Sequence, residues 1–178
     1  MVKIKQSLGL ETILPLRELS KVFKKYNLQK LNYLNILMVK TKKYTTKKEV
    51  TQLAYEITGF AIKVHKALGP GLLESIYEQC LKYELEQNGY DVKQQLVVKI
   101  DYYDLELESD LRIDLLVNDC VVVELKAIEN LLPIHEAQLL TYMKLLQRPQ
   151  GLLINFNTLN ITKSMKPIVN EYFARLID

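Results

Sequence analysis

Residues 111 to 127, LRIDLLVNDCVVVELKA, place two carboxylates and a lysine inside an otherwise apolar stretch. Two runs rich in valine, leucine and isoleucine flank Asn118-Asp119, a pair typical of turns, which predicts two antiparallel β-strands joined as a hairpin. Asp114 lies in the first strand, and Glu124 and Lys126 lie in the second. Any fold of this chain has to accommodate these charges beside buried apolar side chains, where unpaired charge is unfavourable.

The register of this hairpin decides where the charged side chains lie. A two-residue turn pairs Val117 with Cys120 and puts Asp114 and Glu124 on opposite faces, whereas a three-residue loop over 118–120 pairs Val117 with Val121 and Asp114 with Glu124. In the second register one face is wholly apolar: Leu111, Ile113, Leu115, Val117, Val121, Val123 and Leu125. The other face collects Arg112, Asp114, Leu116, Val122, Glu124 and Lys126. Because this register sorts the hydrophobic residues better, we predict the three-residue loop with the two carboxylates side by side.

Two carboxylates in that position need a compensating charge. At a separation of roughly 5 Å and an effective dielectric near 20, they repel by about 3 kcal/mol. A divalent ion such as Mg²⁺ would remove the repulsion, and Lys126 could then hold an attacking water or offset charge on a phosphate oxygen. The alternative is that Arg112 and Lys126 form ordinary ion pairs with the acids on a solvated sheet face.

The rest of the chain predicts an α/β fold of the mixed-sheet (α+β) kind. Apolar residues at three- and four-residue spacings predict helices in 49–69, 72–89 and 134–147, and a closing helix in 166–177. Strands are predicted in 92–100, around 102–108, in 111–117 and 121–127, and in 151–156. Gly69-Pro70-Gly71 is expected to end the first helix. This order favours a mixed sheet with helices packed against it.

The charge distribution divides the chain into two parts. Residues 1–48 carry 12 Lys and Arg against 2 Glu, a net charge of +10, so the remaining residues, with 12 basic against 19 acidic, carry −7. We therefore predict a basic N-terminal extension or linker over 1–48, which is disordered, a tether for nucleic acid, or the product of a mis-set start before Met38. Residues 49–178 form the predicted domain.

Composition excludes several classes of protein. No apolar run reaches the roughly 18 to 20 residues of a membrane helix, and the N-terminus lacks a secretory-signal pattern, so we expect a cytoplasmic protein. Cys80 and Cys120 form no CxxC motif and have no suitably spaced histidine partners, so both are predicted to be small core side chains.

Three motifs in the chain resemble those of a known superfamily. Asp114 followed by Glu124-Leu125-Lys126 resembles the D…ExK arrangement of the PD-(D/E)XK nucleases, although Ile113 replaces the proline of that name. GLLESIY at 71–77 resembles the signature of the GxxExxY family, and QLLTY at 138–142 is similar to the QxxxY motif of the RecB-like branch. The resemblance extends from about residue 49 to 170 and implies a restriction-endonuclease-like core, a mixed sheet flanked by helices.

The resemblance also implies a metal site. Asp114 and Glu124 would hold the ion, and Glu74 would add a ligand or orient water from the first turn of the second helix. Glu74 is also where the helix dipole favours an acid whatever the function. His65 resembles an upstream histidine ligand of some RecB-like relatives, but it also lies near a helix C-terminus, where the dipole favours a cation. Lys126 would complete the catalytic set.

Substrate contacts are predicted on the helix over 134–147. Gln138 and Tyr142 are four residues apart and share a helix face, so they could reach a phosphate or base, or instead pack at the core edge. Arg112, on the charged face of the hairpin, is a third substrate-binding candidate. His135 is assigned a structural or substrate-contact role, and Tyr102-Tyr103 is expected near a hairpin tip.

These observations predict a metal-dependent nuclease that uses Mg²⁺ or Mn²⁺ and acts on nucleic acid, with DNA as the expected substrate. Two alternatives remain: a non-catalytic module that binds nucleic acid or protein on a nuclease fold, and a hydrolase of a different phosphoester. The net charge of −7 on residues 49–178 mildly favours the first alternative, because such a body repels a polyanion. Whether the protein is a homodimer is left open.

Overall fold

A five-stranded mixed sheet lies between helices in this protein. The structure is a computed structural model that describes residues 44–103, 105–107 and 111–178, with the backbone alone at 101, 102 and 105–107. Nearly all of the predicted basic extension over 1–48 lies outside the described residues, so the predicted boundary near residue 48 stays a prediction.

Two helices precede the sheet, as predicted. Helix α1 (Lys47–Leu68) begins after Thr46, whose Oγ1 accepts the Glu49 N–H at 3.2 Å while the Glu49 carboxylate accepts the Thr46 N–H at 3.3 Å. The helix ends at Gly69, which has a φ of 70°, a conformation that glycine adopts without steric cost. Helix α2 (Glu74–Gln87) follows. No helix in the described part of the chain is long and apolar enough to cross a membrane.

The strands and the third helix build the predicted mixed sheet. The strands are β1 (Val92–Val97), β2 (Ile100–Tyr102), β3 (Leu105–Leu107), β4 (Arg112–Val117), β5 (Val121–Lys126), β6 (Gln150–Asn155) and β7 (Met165–Val169). The main sheet has the order β1-β4-β5-β6-β7 and is antiparallel except between β5 and β6, which helix α3 (Pro133–Leu145) connects. Strands β2 and β3 form a separate hairpin, with the exposed Tyr103 at its turn.

The predicted closing helix over 166–177 is wrong. Residues 165–169 are strand β7, paired antiparallel with β6, and only the short helix α4 (Glu171–Ala174) follows it. Strand β7 lies at the sheet edge, where Pro167 is tolerated because an edge strand can leave one N–H side unpaired. Asn170 then begins the helix by accepting the Tyr172 N–H at 3.0 Å.

Apolar side chains form two cores, one on each face of the main sheet. The first joins helices α1 and α2 to the sheet through residues that include Leu53, Ile57, Tyr77, Leu81, Leu115, Val117, Val121, Val123, Leu125, Ile154 and Phe156. The second joins helix α3 to the sheet: Val98, Ile113, Leu116, Val122, Leu139, Tyr142, Met143 and Leu153. Cys120 is buried in the first core, as predicted, whereas Cys80 is only partly buried and packs against that core.

The predicted apolar face of the β4–β5 hairpin is wrong at its open end. Ile113 is part of the second core and Leu111 packs against it, whereas Leu115 and Val117 belong to the first core as predicted. The backbone pairs of β4 with β5 end at Leu115 and Val123. Beyond that pair strand β4 no longer follows the regular two-residue alternation on which the prediction depended, whereas Val123 and Leu125 of β5 both lie in the first core.

Tyr77 connects the first core to the corner between helices α1 and α2. Its ring stacks on Phe156 with centroids 4.5 Å apart, and its hydroxyl donates to the Gly69 carbonyl at 2.6 Å and accepts the Leu72 N–H at 3.1 Å. These bonds hold the corner that leads into Glu74, the first residue of α2.

Tyr77→Phe is expected to lower the free energy of unfolding by about 1 to 2 kcal/mol, because the ring remains while both hydroxyl bonds are lost. Urea denaturation followed by circular dichroism measures this change. Tyr83→Phe, at an exposed position of the same helix, is the matched control and should unfold as the wild type does. Equal stability of the two variants would mean that the hydroxyl of Tyr77 does not stabilise the corner.

Candidate functional site

The β4–β5 hairpin has the register predicted from its hydrophobic pattern. Val117 pairs with Val121, so residues 118–120 form a three-residue loop. The predicted pair of Asp114 with Glu124 is not among the backbone pairs, which end at Leu115 and Val123. Asn118 and Asp119 have φ values of 50° and 52°, and the Cys120 N–H donates to the Val117 carbonyl at 3.0 Å. Asn and Asp tolerate this left-handed conformation better than most residues. The loop therefore determines which residues of β4 and β5 lie opposite each other.

Asp114 replaces a backbone group in the pairing of the two strands. It is 9% exposed, and its Oδ2 accepts the Leu125 N–H at 2.7 Å, just beyond the last backbone pair. Its Oδ1 lies 3.4 Å from Nε2 of Gln95 on strand β1. The Asp114 carboxylate is thus held next to strand β5 by a backbone N–H, one residue after Glu124.

Glu124 and Lys126 form an ion pair at the end of strand β5. Nζ of Lys126 donates to Oε1 of Glu124 at 2.6 Å, and Glu124 is only 2% exposed. The other oxygen, Oε2, is buried and has no hydrogen-bond partner. A buried carboxylate oxygen without a donor is unfavourable, so it is a position where a further donor or cation would stabilise the site.

Burial and neighbouring charges shift the pKa values of Asp114, Glu124 and Lys126. Burial, followed by the negative charge of Glu124, raises the pKa of Asp114 to about 7. Burial also raises the pKa of Glu124, although the hydrogen bond from Lys126 opposes it. Burial alone would lower the pKa of Lys126, but its bond to Glu124 and the surrounding carboxylates raise it instead. The three groups together contain more negative charge than the one ammonium balances.

Glu74 reaches the same group from helix α2. Its Oε2 accepts the Ala127 N–H at 3.2 Å, directly after strand β5, and its charge acts on both Glu124 and Lys126. Glu74 is also the first residue of the helix, where the dipole favours an acid. The structure therefore places the predicted Glu74 beside the acids of the hairpin.

Two further polar residues at the site were missed by the sequence analysis. Glu78 is 5% exposed, and its Oε2 accepts a hydrogen bond from Nε2 of Gln95 at 2.8 Å. The sequence contained a signal for Glu78, because it lies four residues after Glu74 and three before the core residue Leu81, on the same helix face. Gln95 could not have been found from the sequence, since only the pairing of β1 with β4 brings it opposite β4. Its φ is 50°.

The other predicted site residues make contacts elsewhere. Nε2 of His65 lies 2.8 Å from the Thr158 carbonyl, so it carries the proton and only Nδ1 could bind an ion. Gln138 donates to the hydroxyl of Tyr142 at 2.6 Å, and Tyr142 is buried in the second core. Arg112 is exposed at the start of β4. None of the contacts found in the described residues connects these four side chains to Asp114 or Glu124.

His135 has the structural role that was one of its two predicted roles. Its Nδ1 accepts the N–H of Leu132, the residue that precedes helix α3, at 3.0 Å. The bond satisfies one of the N–H groups that a helix leaves free at its start.

The residues around Asp114 and Glu124 fit a hard divalent ion. Among the described residues, no group of three or more His, Cys, Asp or Glu side chains is arranged to hold a metal ion. Mg²⁺ does not require such a group, since it is commonly bound through one or two carboxylates and otherwise keeps its waters. Two adjacent buried carboxylates, one with an unpartnered oxygen, supply the negative charge and the acceptors that such an ion needs.

A comparison with models of protein families identifies the superfamily of this chain. The family model of the PD-(D/E)XK nuclease superfamily matches residues 51–168, more than half of the sequence and all of the predicted site residues. The chain belongs to the PD-(D/E)XK nuclease superfamily. Its mixed sheet flanked by helices agrees with that fold, and membership indicates nuclease activity on nucleic acid. Searches among curated proteins and among solved structures gave no match.

Proposed function

We propose that this PD-(D/E)XK protein is a metal-dependent nuclease that hydrolyses phosphodiester bonds of DNA. The observation that carries the proposal is the bond of Asp114 to the Leu125 N–H, between Glu124 and Lys126, which form an ion pair at the positions of the D…ExK motif. The Gly71–Tyr77 and Gln138–Tyr142 motifs support a finer assignment, to the GxxExxY family and the RecB-like branch.

Asp114 and Glu124 are the proposed ligands of Mg²⁺ or Mn²⁺, with Glu74 nearby as a further ligand or an acceptor for water. When bound, such an ion supplies positive charge at a phosphate and lowers the pKa of water. His65 would join this set only through Nδ1, because Nε2 donates to the Thr158 carbonyl. The superfamily typically uses Mg²⁺ or Mn²⁺.

Lys126 acts in the proposal as a fixed ammonium group. Because its neighbours raise its pKa, Lys126 keeps its proton at neutral pH and is a donor, not a base. Its contact with Glu124 holds the ammonium beside the carboxylates. From there it can orient a water for in-line attack and offset negative charge that develops on the phosphate.

Substrate contacts are proposed for Arg112, Gln138 and Tyr142. Arg112 is exposed and carries the positive charge that a phosphate requires. The Gln138 amide and the Tyr142 hydroxyl bond to each other, which fixes their orientation on helix α3. The basic residues of 1–48 would compensate for the net charge of −7 on residues 49–178 when a polyanion binds. A homodimer and a cytoplasmic location stay predictions.

Incubation of the purified full chain with linear, circular and single-stranded DNA and with RNA, in Mg²⁺, Mn²⁺ or EDTA, tests the proposal. We expect DNA cleavage in Mg²⁺ or Mn²⁺ and none in EDTA. Asp114→Asn should abolish cleavage, because it removes a charge from the proposed ion site. Asp119→Asn, at the exposed hairpin loop, is the matched control and should cleave as the wild type does.

The outcomes separate the alternatives. Binding of DNA that persists in EDTA, with no cleavage in any metal, would contradict the enzyme and favour a binding module. Hydrolysis of a small phosphodiester without cleavage of nucleic acid would indicate a hydrolase of another phosphoester. Cleavage of RNA alone would overturn the assignment to DNA.

A further inference from the structure

Glu78 is a buried carboxylate that the catalytic motif does not include. It follows Glu74 by one turn of helix α2, and both side chains point toward the sheet face that carries the first core. Glu78 is 5% exposed, and its Oε1 is buried without a hydrogen-bond partner. A carboxylate in that position is unfavourable unless a donor or cation is supplied.

Gln95 connects Glu78 to the hairpin. Its side-chain amide nitrogen donates to Oε2 of Glu78 at 2.8 Å and lies 3.4 Å from Oδ1 of Asp114. Gln95 has a φ of 50°, which a non-glycine residue adopts at a cost, and such residues occur often at functional sites. A single amide group therefore lies between two carboxylates of different elements.

The local charge is strongly negative. Glu78 interacts electrostatically with both Asp114 and Glu124, and Glu74 interacts with Glu124 and Lys126. Among the charges that act on Asp114 and Glu124, the positive one is the ammonium group of Lys126. Two of these carboxylates, Glu78 and Glu124, each have a buried oxygen that lacks a hydrogen-bond donor.

We propose that Glu78 is a further carboxylate of the divalent-ion site, tied to Asp114 through Gln95. This inference rests on the proposed function, since it assigns a residue to the same ion. The unpartnered Oε1 accepts a hydrogen bond from the hydration shell of the ion or contributes its charge directly. The amide of Gln95 holds the other oxygen, Oε2, at 2.8 Å, so the side chain is kept beside Asp114.

A purely structural role makes a different prediction. If Glu78 served only to hold Gln95, then its replacement by glutamine would weaken folding and leave ion binding unchanged. If Glu78 belongs to the ion site, the neutral amide removes repulsion between carboxylates. The metal-free protein would then be at least as stable as the wild type, and ion binding would be weaker.

Isothermal titration of the metal-free full chain with Mn²⁺, and its unfolding temperature with and without Mn²⁺, distinguish the two roles. We expect Glu78→Gln to weaken Mn²⁺ binding by about tenfold or more, a typical effect of residues that support metal ligands. Its unfolding temperature without metal should equal or exceed that of the wild type. Glu86→Gln, at an exposed position of helix α2, makes the same change of charge and should bind Mn²⁺ as the wild type does.

Unchanged Mn²⁺ affinity of Glu78→Gln, with a lower unfolding temperature, would overturn the inference and leave the proposed function intact. If the wild type itself binds neither Mn²⁺ nor Mg²⁺, the proposed function fails and the inference fails with it. Glu78→Ala removes the same charge with a smaller side chain, so the comparison can still be made if glutamine prevents folding. For this variant too, wild-type affinity would contradict the proposal.

Discussion

Lys126→Met is expected to reduce metal-dependent DNA cleavage by about 10² to 10³-fold, the loss typical when one preorganised electrostatic group is removed from an active site. Methionine keeps an unbranched side chain of similar length but carries no charge and donates no hydrogen bond. The variant would lose the donor that orients water and the charge that offsets a developing phosphate anion. Its Glu124 partner would be left without the 2.6 Å contact.

Single-turnover cleavage at saturating Mg²⁺ measures this loss, because it reports the chemical step and not product release. Lys66→Met, at an exposed position of helix α1, is the matched control and should cleave as the wild type does. Circular dichroism and Mn²⁺ titration establish that the variant is folded and still binds the ion. Cleavage within threefold of the wild-type rate would mean that Lys126 only pairs with Glu124.

The metal-free protein is expected to lose stability as the pH rises from about 4 to about 7. Burial and the charge of Glu124 raise the pKa of Asp114 to about 7, whereas the unfolded value is close to 3.9. The folded state therefore binds the proton more tightly, so the stabilisation is fully present below pH 4 and is lost as the pH passes 7. A shift of this size corresponds to about 2 to 4 kcal/mol, with the lower figure allowing for relaxation around the carboxylate.

Asp114→Asn isolates this contribution from that of other titrating groups. We expect the free energy of unfolding of the variant, measured with urea in EDTA, to fall less than that of the wild type between pH 4.5 and 7.5. Asparagine retains an oxygen that can accept the Leu125 N–H. The control variant Asp119→Asn should show the same change in the free energy of unfolding between pH 4.5 and 7.5 as the wild type. Equal pH dependence of wild type and Asp114→Asn would show that Asp114 is not destabilised by its charge in the folded state.

The strands around the candidate site illustrate how far hydrophobic pattern alone is reliable. The rule that one face of the hairpin should be wholly apolar predicted the pairing of Val117 with Val121, which the structure confirms. The same rule failed at Ile113, which lies in the second core, because regular alternation ends where Asp114 takes the place of a backbone acceptor. The rule assumes a continuous ladder, and a side chain that bonds the neighbouring strand interrupts it.

The C-terminal residues show a second limit of prediction from the hydrophobic pattern. Residues 166–177 contain apolar side chains at spacings compatible with a helix, yet 165–169 pair with strand β6. The available edge of the sheet decided between the two structures, since β-strand preference depends strongly on the neighbouring strand. No local pattern contains that information.

The amino-acid sequence by itself determined the helices α1 to α3, the hairpin register and the acids and lysine of the D…ExK motif, because these depend on residue periods and on neighbours close in the chain. Only the tertiary structure placed Glu74 beside Ala127 and brought Glu78 and Gln95 to Asp114. These contacts join helix α2 and strand β1 to the hairpin across long stretches of chain. They form because both cores pack around one sheet, which is a property of the whole domain and not of any segment.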